Sequence, residues 1–317
     1  IKKGWKLNEY GLFRVQGEGK KTKKKEIQIA GRTEEELYEK LGLRYIEPEV
    51  REMTGEIEAS RAGKLPRLIE YGDLKGDLQV QTDWTDGENS IEEMAHAAAE
   101  AGLEYIVVTD HTKSLAMTGG ADEKKLLHQI KEIETLNEKR KTKGEKLRIL
   151  TGAEVNIGKD GLLDIRDDVL AKLDVVGAAV HSQFKLSRQE QTRRVIRAME
   201  NPHVDIIFHL TTRIINKRGP IELDVDEVIA AAKRTGTVLE IDAYPDRLDI
   251  KDEYIKKCAG AGIKMSIDSD AHSVKHFKYL EMGIAQARRG WATKNDIVNA
   301  WPVEKMLSML KGKRKRG

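Results

Sequence analysis

The sequence predicts an α/β protein, with parallel βαβ units forming a sheet or barrel behind a small α+β segment. Three observations carry this. Short apolar runs recur at 77–81, 105–109, 148–153, 174–180, 204–208, 237–242 and 263–268. Longer amphipathic stretches separate them, the alternation expected of parallel βαβ units. The runs are nearly continuous rather than alternating, so each strand is buried on both faces, as in a parallel sheet or barrel.

Taken in order, residues 1–50 read as the α+β segment. GLFRV (11–15) and EIQIA (26–30) are short strands around a Lys-rich loop whose run Lys20–Lys25 is a hairpin tip. TEEELYEKLGL (33–43) is a helix. Thr33 is its N-cap, Glu36 completes the spacing of a capping box, and Gly42 stops it. Residues 51–75 are polar, contain Gly55, Gly63 and Pro66, and read as a linker. Beyond them, SIEEMAHAAAEAG, DEKKLLHQIKEIETLNEKR, RQEQTRRVIRAME, DVDEVIAAAKRTG and KDEYIKKCAGAG are helices between the strands.

Composition narrows the class. The 317 residues are 39% apolar and 34% charged, a soluble, highly charged globular composition. No run approaches the ~18 apolar residues of a membrane-spanning helix. Lys2, Lys3 and Lys6 are not followed by the apolar segment of a secretory signal. The single Cys258 excludes an internal disulfide and a cysteine zinc finger. A cytoplasmic setting without a membrane partner is expected, and the start at Ile1 reads as a fragment. The net charge of +3 conceals strongly basic ends at 1–25 and 311–317 and an acidic body. That pattern suits a polyanion binder or solvated ends.

In a parallel α/β barrel, functional groups gather where strands end. Here those ends hold Gln79 and Gln81, then Asp86; His111; Glu154; His181; His209; Asp242; and Asp270 with His272. Imidazoles and carboxylates without a thiolate suit zinc, manganese or iron. A carboxylate can bridge two cations, and such a site activates water and neutralises phosphoryl charge. The spacing alone predicts a metal-dependent hydrolase.

The stretches GDLQVQTDWTDG, VVTDH, TGAEVNI, AAVHSQF, IIFH and SIDSDAHS resemble, in order, the motifs of the polymerase and histidinol phosphatase (PHP) domain, in the form fused to family X DNA polymerases. The resemblance covers residues 76–317. Residues 1–50 are similar to the end of that family's thumb subdomain, with 51–75 as the linker. It implies a distorted seven-stranded (βα)7 TIM-like barrel holding up to three ions, Mn2+ or Zn2+, and phosphoesterase chemistry on DNA 3′ ends. Mg2+ would serve the polymerase of the longer parent, whose carboxylates lie upstream of the thumb.

By the same resemblance, Glu154, His181 and His209 take one metal, and Asp86, His111 and His272 a second. A third falls to the two strand-one positions, Glu154 as bridge, and Asp270. Glu154, His181 and Asp270 form the catalytic set. The chain departs from the family at Gln79-x-Gln81, where the family has His-x-His. Residues i and i+2 share a face, but an amide oxygen is a neutral, weak ligand. Two ions are therefore expected, with the third position lost. A second departure is His209-Leu-Thr-Thr-Arg213, where the family places Pro and Gly. Arg213 and Arg247 are expected on the scissile phosphate, and Asp110 and Asp268 as orienters of histidine N–H groups. Lys20, Lys21, Lys23, Lys24 and Lys25 are expected on DNA.

Three functions are compatible with this reading. The leading one is a 3′–5′ exonuclease or 3′-end phosphoesterase of DNA repair, weakened by the two glutamines. It would act on 3′ ends of gapped or single-stranded DNA, as a monomer. The alternative is a disabled barrel that supports the polymerase or positions DNA. A small-molecule phosphatase of the histidinol-phosphate type is disfavoured by the thumb segment.

Overall fold

The computed structural model describes residues 3–16 and 25–314, with side chains up to residue 312. Lys20, Lys21, Lys23 and Lys24, and so most of the expected hairpin tip, lie outside the described residues. The chain divides into two units between Arg67 and Leu68.

In the first unit β1 (Trp5–Asn8), β2 (Gly11–Gln16) and β3 (Lys25–Ala30) form an antiparallel sheet in that order. Lys25 opens β3 and is exposed. Strand β1 was not expected, because four residues, none of them buried, carry no legible period. Helix α1 (Glu34–Leu41) is capped as expected by Thr33, which accepts from the Glu36 N–H, and is stopped by left-handed Gly42. The reciprocal half of the capping box is shifted, since the Glu36 carboxylate accepts from Arg32 N–H at 3.0 Å and Gly31 N–H at 3.3 Å. The expected linker is not featureless. It holds α2 (Glu56–Ala62), bounded by Gly55 and Gly63. Its Glu56 folds back onto the Met53 and Thr54 N–H groups. Two polar turns are too short for periodicity to reveal.

The second unit alternates strand and helix. It runs β4 (Gly76–Val80), α3 (Ile91–Glu100), β5 (Tyr105–Val108), α4 (Glu123–Thr142), β6 (Arg148–Asn156), α5 (Asp167–Leu170) and β7 (Val175–Ala179). It continues through α6 (Arg188–Glu200), β8 (Ile206–Ile207), α7 (Val225–Thr235), β9 (Val238–Asp242), α8 (Asp252–Ala261) and β10 (Met265–Asp268), and ends in α9 (Leu280–Arg289) and α10 (Val303–Arg314). All seven expected strands are present. They form one parallel sheet in the order β10-β9-β8-β7-β6-β5-β4. Ser90 with Glu93 and Ser187 with Glu190 close full capping boxes on α3 and α6. The packing leaves no room for a side chain at Gly177, where a Cβ would lie 1.8 Å from the Phe208 ring. No helix among the described residues is long and apolar enough to cross a membrane.

The sheet curls until its end strands meet, and the seam is closed partly by side chains. Ladder-type bonds join Gln81 N–H to Ala271 O at 2.8 Å and Ala271 N–H to Gln79 O at 3.2 Å. Below them, Leu78 N–H donates to Asp268 at 2.9 Å and Ser269 N–H to Asp77 at 3.2 Å. Burial, reinforced by the charge of Asp268, pushes the Asp77 carboxyl up to about 8. The Asn299 amide spans the gap, donating to Gly76 O (2.8 Å) and Ile267 O (2.6 Å) while accepting from Ile267 N–H (3.0 Å). Asn299→Ala strands these backbone groups in a site with no exposed surface. It is expected to cost roughly 2–4 kcal/mol. An unchanged denaturant midpoint would show that the seam does not depend on this amide.

Candidate metal centre

The strand ends on one side of the barrel converge. Strand β6 runs on to Asn156, so Glu154 and Asn156, two residues apart, share one face. His111 pairs in register with Glu154 just beyond the end of β5. His209 and Asp270, which follow β8 and β10, take left-handed backbone conformations at φ 27° and 50°. Such geometry in a non-glycine residue is strained and is held by its surroundings. At His209 the holder is Glu240, whose carboxylate accepts the His209 N–H.

Glu154 is fully buried and lies at the hub. Its Oε1 is 2.9 Å from His181 Nε2 and 2.8 Å from His209 Nε2. Its Oε2 accepts from Gln79 Nε2 at 3.1 Å and Gln81 Nε2 at 2.8 Å, with His111 Nδ1 at 3.5 Å. The two glutamine amides therefore act as donors to the buried carboxylate. Their carbonyl oxygens are buried without a hydrogen-bond partner among the described residues.

A second group lies alongside. Asp86 Oδ2 is 3.6 Å from His111 Nε2 and 3.7 Å from His272 Nε2. The loop carrying Asp86 is fixed by Asp110, which accepts from Thr82 N–H (2.8 Å), from the Thr82 and Thr85 hydroxyls and from Gln129 (2.6 Å each). Gly87 makes that loop possible, because a Cβ there would sit 2.7 Å from the Thr82 backbone. Asp110 thus orients a loop, and Asp268 closes the seam. Neither orients a histidine, contrary to the expectation for them.

The four imidazoles form an arc. Ring centroids are 6.1 Å apart for His272–His111, 5.2 Å for His111–His181 and 5.3 Å for His181–His209. Ligand atoms of Asp86, His111 and His272 lie within 4.8 Å of one another, as do those of His111, Glu154 and His181.

The hydrogen bonding tests whether a metal fits. Asn156 donates its amide to Asp164 (2.8 Å) and Thr112 (3.0 Å), so its Oδ1 must accept from His181 Nδ1 at 2.7 Å. The Nε2 of His181 then presents a lone pair to the Glu154 carboxylate. Only a second proton or a metal ion makes that approach favourable. The donor set of imidazole nitrogens and carboxylates matches zinc or manganese, so the residues fit such an ion.

Electrostatics agree. Burial opposes ionisation of Glu154, but the imidazoles of His111, His181 and His209 around it hold its carboxyl well below the usual range. Burial, assisted by the Arg247 charge, brings His209 down to about 4, so its ring is neutral. Burial opposes protonation of His272, yet Asp270 and Asp86 leave it raised.

Arg247 Nε lies 3.4 Å from Asp242 and 3.6 Å from Asp270, while its buried Nη1 has no hydrogen-bond partner among the described residues. Arg213, expected on the scissile phosphate, donates its guanidinium to the backbone carbonyls of Arg247 (2.7 Å) and Leu248 and so braces the loop that carries Arg247. Asp270 joins His272 and Arg247, and among the described residues it makes no bond to Glu154. Asn156 and Asp164 were missed. The two-residue spacing from Glu154 could have revealed Asn156, whereas Asp164 comes from a loop with no sequence signal.

Residues 1–52 match the family model described as the DNA polymerase beta thumb, and residues 77–298 match the PHP domain. The DNA polymerase/3′-5′ exonuclease PolX of Bacillus subtilis is 37% identical over 309 residues, 98% of this chain and 52% of that protein. The chain thus spans about half the length of that relative. A probable phosphatase of Thermoanaerobacter is 31% identical over 72% of this chain and 90% of its own length. Among solved structures, the histidinol phosphate phosphatase of Lactococcus lactis, in complex with zinc, L-histidinol and phosphate, has a TM-score of 0.53 at 17% identity. It covers 68% of this chain and 93% of that one. The putative histidinol phosphatase of Listeria monocytogenes has a TM-score of 0.51 at 14% identity, over 64% and 97%. At these identities the structures speak for the fold alone. The PHP domain spans most of the chain and stands behind a polymerase-type thumb, and so the chain belongs to the PHP family, in the line carried by family X DNA polymerases.

Proposed function

We propose that the barrel is a metal-dependent phosphoesterase acting on DNA 3′ ends, a 3′–5′ exonuclease of cytoplasmic DNA repair within a longer family X polymerase. The observation that carries this reading is the convergence of His181, His209 and His111 on the buried carboxylate of Glu154, with Asp86 and His272 alongside. Glu154, His181 and His209 would hold one ion, and Asp86, His111 and His272 another. Bound zinc or manganese supplies an activated water and neutralises phosphoryl charge. The remaining work falls to the chain. Asn156 keeps the His181 proton on Nδ1. Arg247 offers an unpartnered N–H to a phosphate oxygen, and Asp270 holds Arg247 against His272. The thumb match and the relatives' names support DNA as the substrate, with Lys25 and the neighbouring lysines as backbone contacts.

One observation favours a second reading, a barrel kept for DNA positioning: the Gln79 and Gln81 amides occupy Glu154 Oε2. Release of nucleotide from a 3′-labelled strand in the presence of manganese separates the two. Activity in the wild type that disappears in His181→Ala is expected. Equal release by both proteins would end the assignment of this centre.

A further inference from the structure

Beside the metal centre lies a group of rings that none of the chemistry above uses. Tyr244 follows β9, and the turn His276–Tyr279 follows β10. His276 and Tyr279 are stacked, with centroids 5.0 Å apart and planes 26° apart. Tyr244 meets both edge-on, at 5.4 and 5.3 Å. All three are half-buried. The group is fastened to the site. His276 Nδ1 accepts the backbone N–H of His272 at 3.2 Å, and Tyr244 N–H donates to Asp242 at 2.7 Å, the carboxylate that faces Arg247. On the same turn Lys275 and Lys278 are exposed and form no ion pair among the described residues. The Lys278 ammonium stands 5.7 Å from the Tyr279 ring centroid.

A phosphodiester seated at the metal centre carries a nucleobase on the adjoining sugar. Rings interleaved with unpaired lysines are how proteins hold single strands, since every base has a face to stack and every linkage a charge. We propose that Tyr244, His276 and Tyr279 form a stacking subsite for the base of the 3′-terminal nucleotides, with Lys275 and Lys278 contacting the strand's phosphates. The subsite makes the enzyme select a base-bearing strand over a small phosphoester, without preference among bases. The inference rests on the 3′-end reading above.

The test uses the full chain with manganese and two single strands, one ending in an ordinary nucleotide and one in an abasic analogue. In the wild type, kcat/KM is expected to be about tenfold or more higher on the base-bearing strand. Tyr244→Leu/Tyr279→Leu is expected to lose that factor on the base-bearing strand and little on the abasic one, because the two deletions remove the same contact. Tyr244→Phe/Tyr279→Phe keeps the ring faces and should keep the preference. Metal content equal to wild type shows that the leucine variant is folded. Lys275→Ala/Lys278→Ala should weaken the salt dependence of KM without changing base discrimination. If the wild type cuts both strands equally, or the leucine variant loses equally on both, the stacking subsite is wrong while the 3′-end reading stands. If the wild type cuts neither strand yet hydrolyses a small phosphate ester, the 3′-end reading is wrong and the subsite falls with it.

Discussion

Glu154→Gln is expected to lower phosphoester hydrolysis by about 10³-fold or more and to strip the chain of its firmly held metal. The substitution preserves size and removes one charge. In this site the charge is the organising element. Five side chains present nitrogen to one carboxylate: Gln79, Gln81, His111, His181 and His209. A glutamine can satisfy one side of that arrangement with its oxygen, but its amide N–H then faces donors on the other. The imidazoles lose the anion that compensates a cation among them, and no water can replace it in a fully buried position. Elemental analysis of the purified variant and hydrolysis of a 3′-labelled strand measure both effects. Retention of wild-type metal content, with activity within tenfold, would show that the centre is organised around another residue.

Gln79→His/Gln81→His is expected to add one further metal ion per chain and to raise hydrolysis about tenfold or more. Gln79 in β4 and Gln81 just past its end reach the same carboxylate oxygen. In the present chain the two amides act as a neutral stand-in for positive charge: they donate to Glu154 Oε2 and leave their carbonyl oxygens buried and unbonded. Imidazoles there exchange donors for lone pairs, and the oxygen becomes available to a cation. If the wild type already binds as much metal as the variant, the amides do not block that position. If the variant gains metal but no activity, the chemistry runs on the two remaining groups.

The barrel was legible because burial on both faces writes itself into sequence as an apolar run, and seven such runs became seven strands. Helices α9 and α10 were not expected, since no strand follows them to mark a crossover. The short α5 and α2 lack the length for a period. At the site, the strand-end rule found the imidazoles and carboxylates because a parallel barrel sends all its strand termini to one rim. The strained backbones of His209 and Asp270 had no sequence marker, since neither position is a glycine. The glutamine pair was visible only as a departure from a family pattern, and its hydrogen bonds to Glu154 were not foreseen, because amides were weighed as poor ligands and not as donors.

His111 belongs to both ligand groups, with Nε2 toward Asp86 and Nδ1 toward Glu154. A neutral imidazole has a single lone pair, so it cannot serve both sides at once. If the lone pair is given to the Asp86 side, the ring's proton sits on Nδ1 and points at Glu154 Oε2, where the two glutamine amides already donate. That oxygen is then saturated, and only Oε1, between His181 and His209, is left to bind anything else. One tautomeric choice in one ring thus couples the two halves of the centre and turns a carboxylate that could grip on both sides into one that grips on a single side.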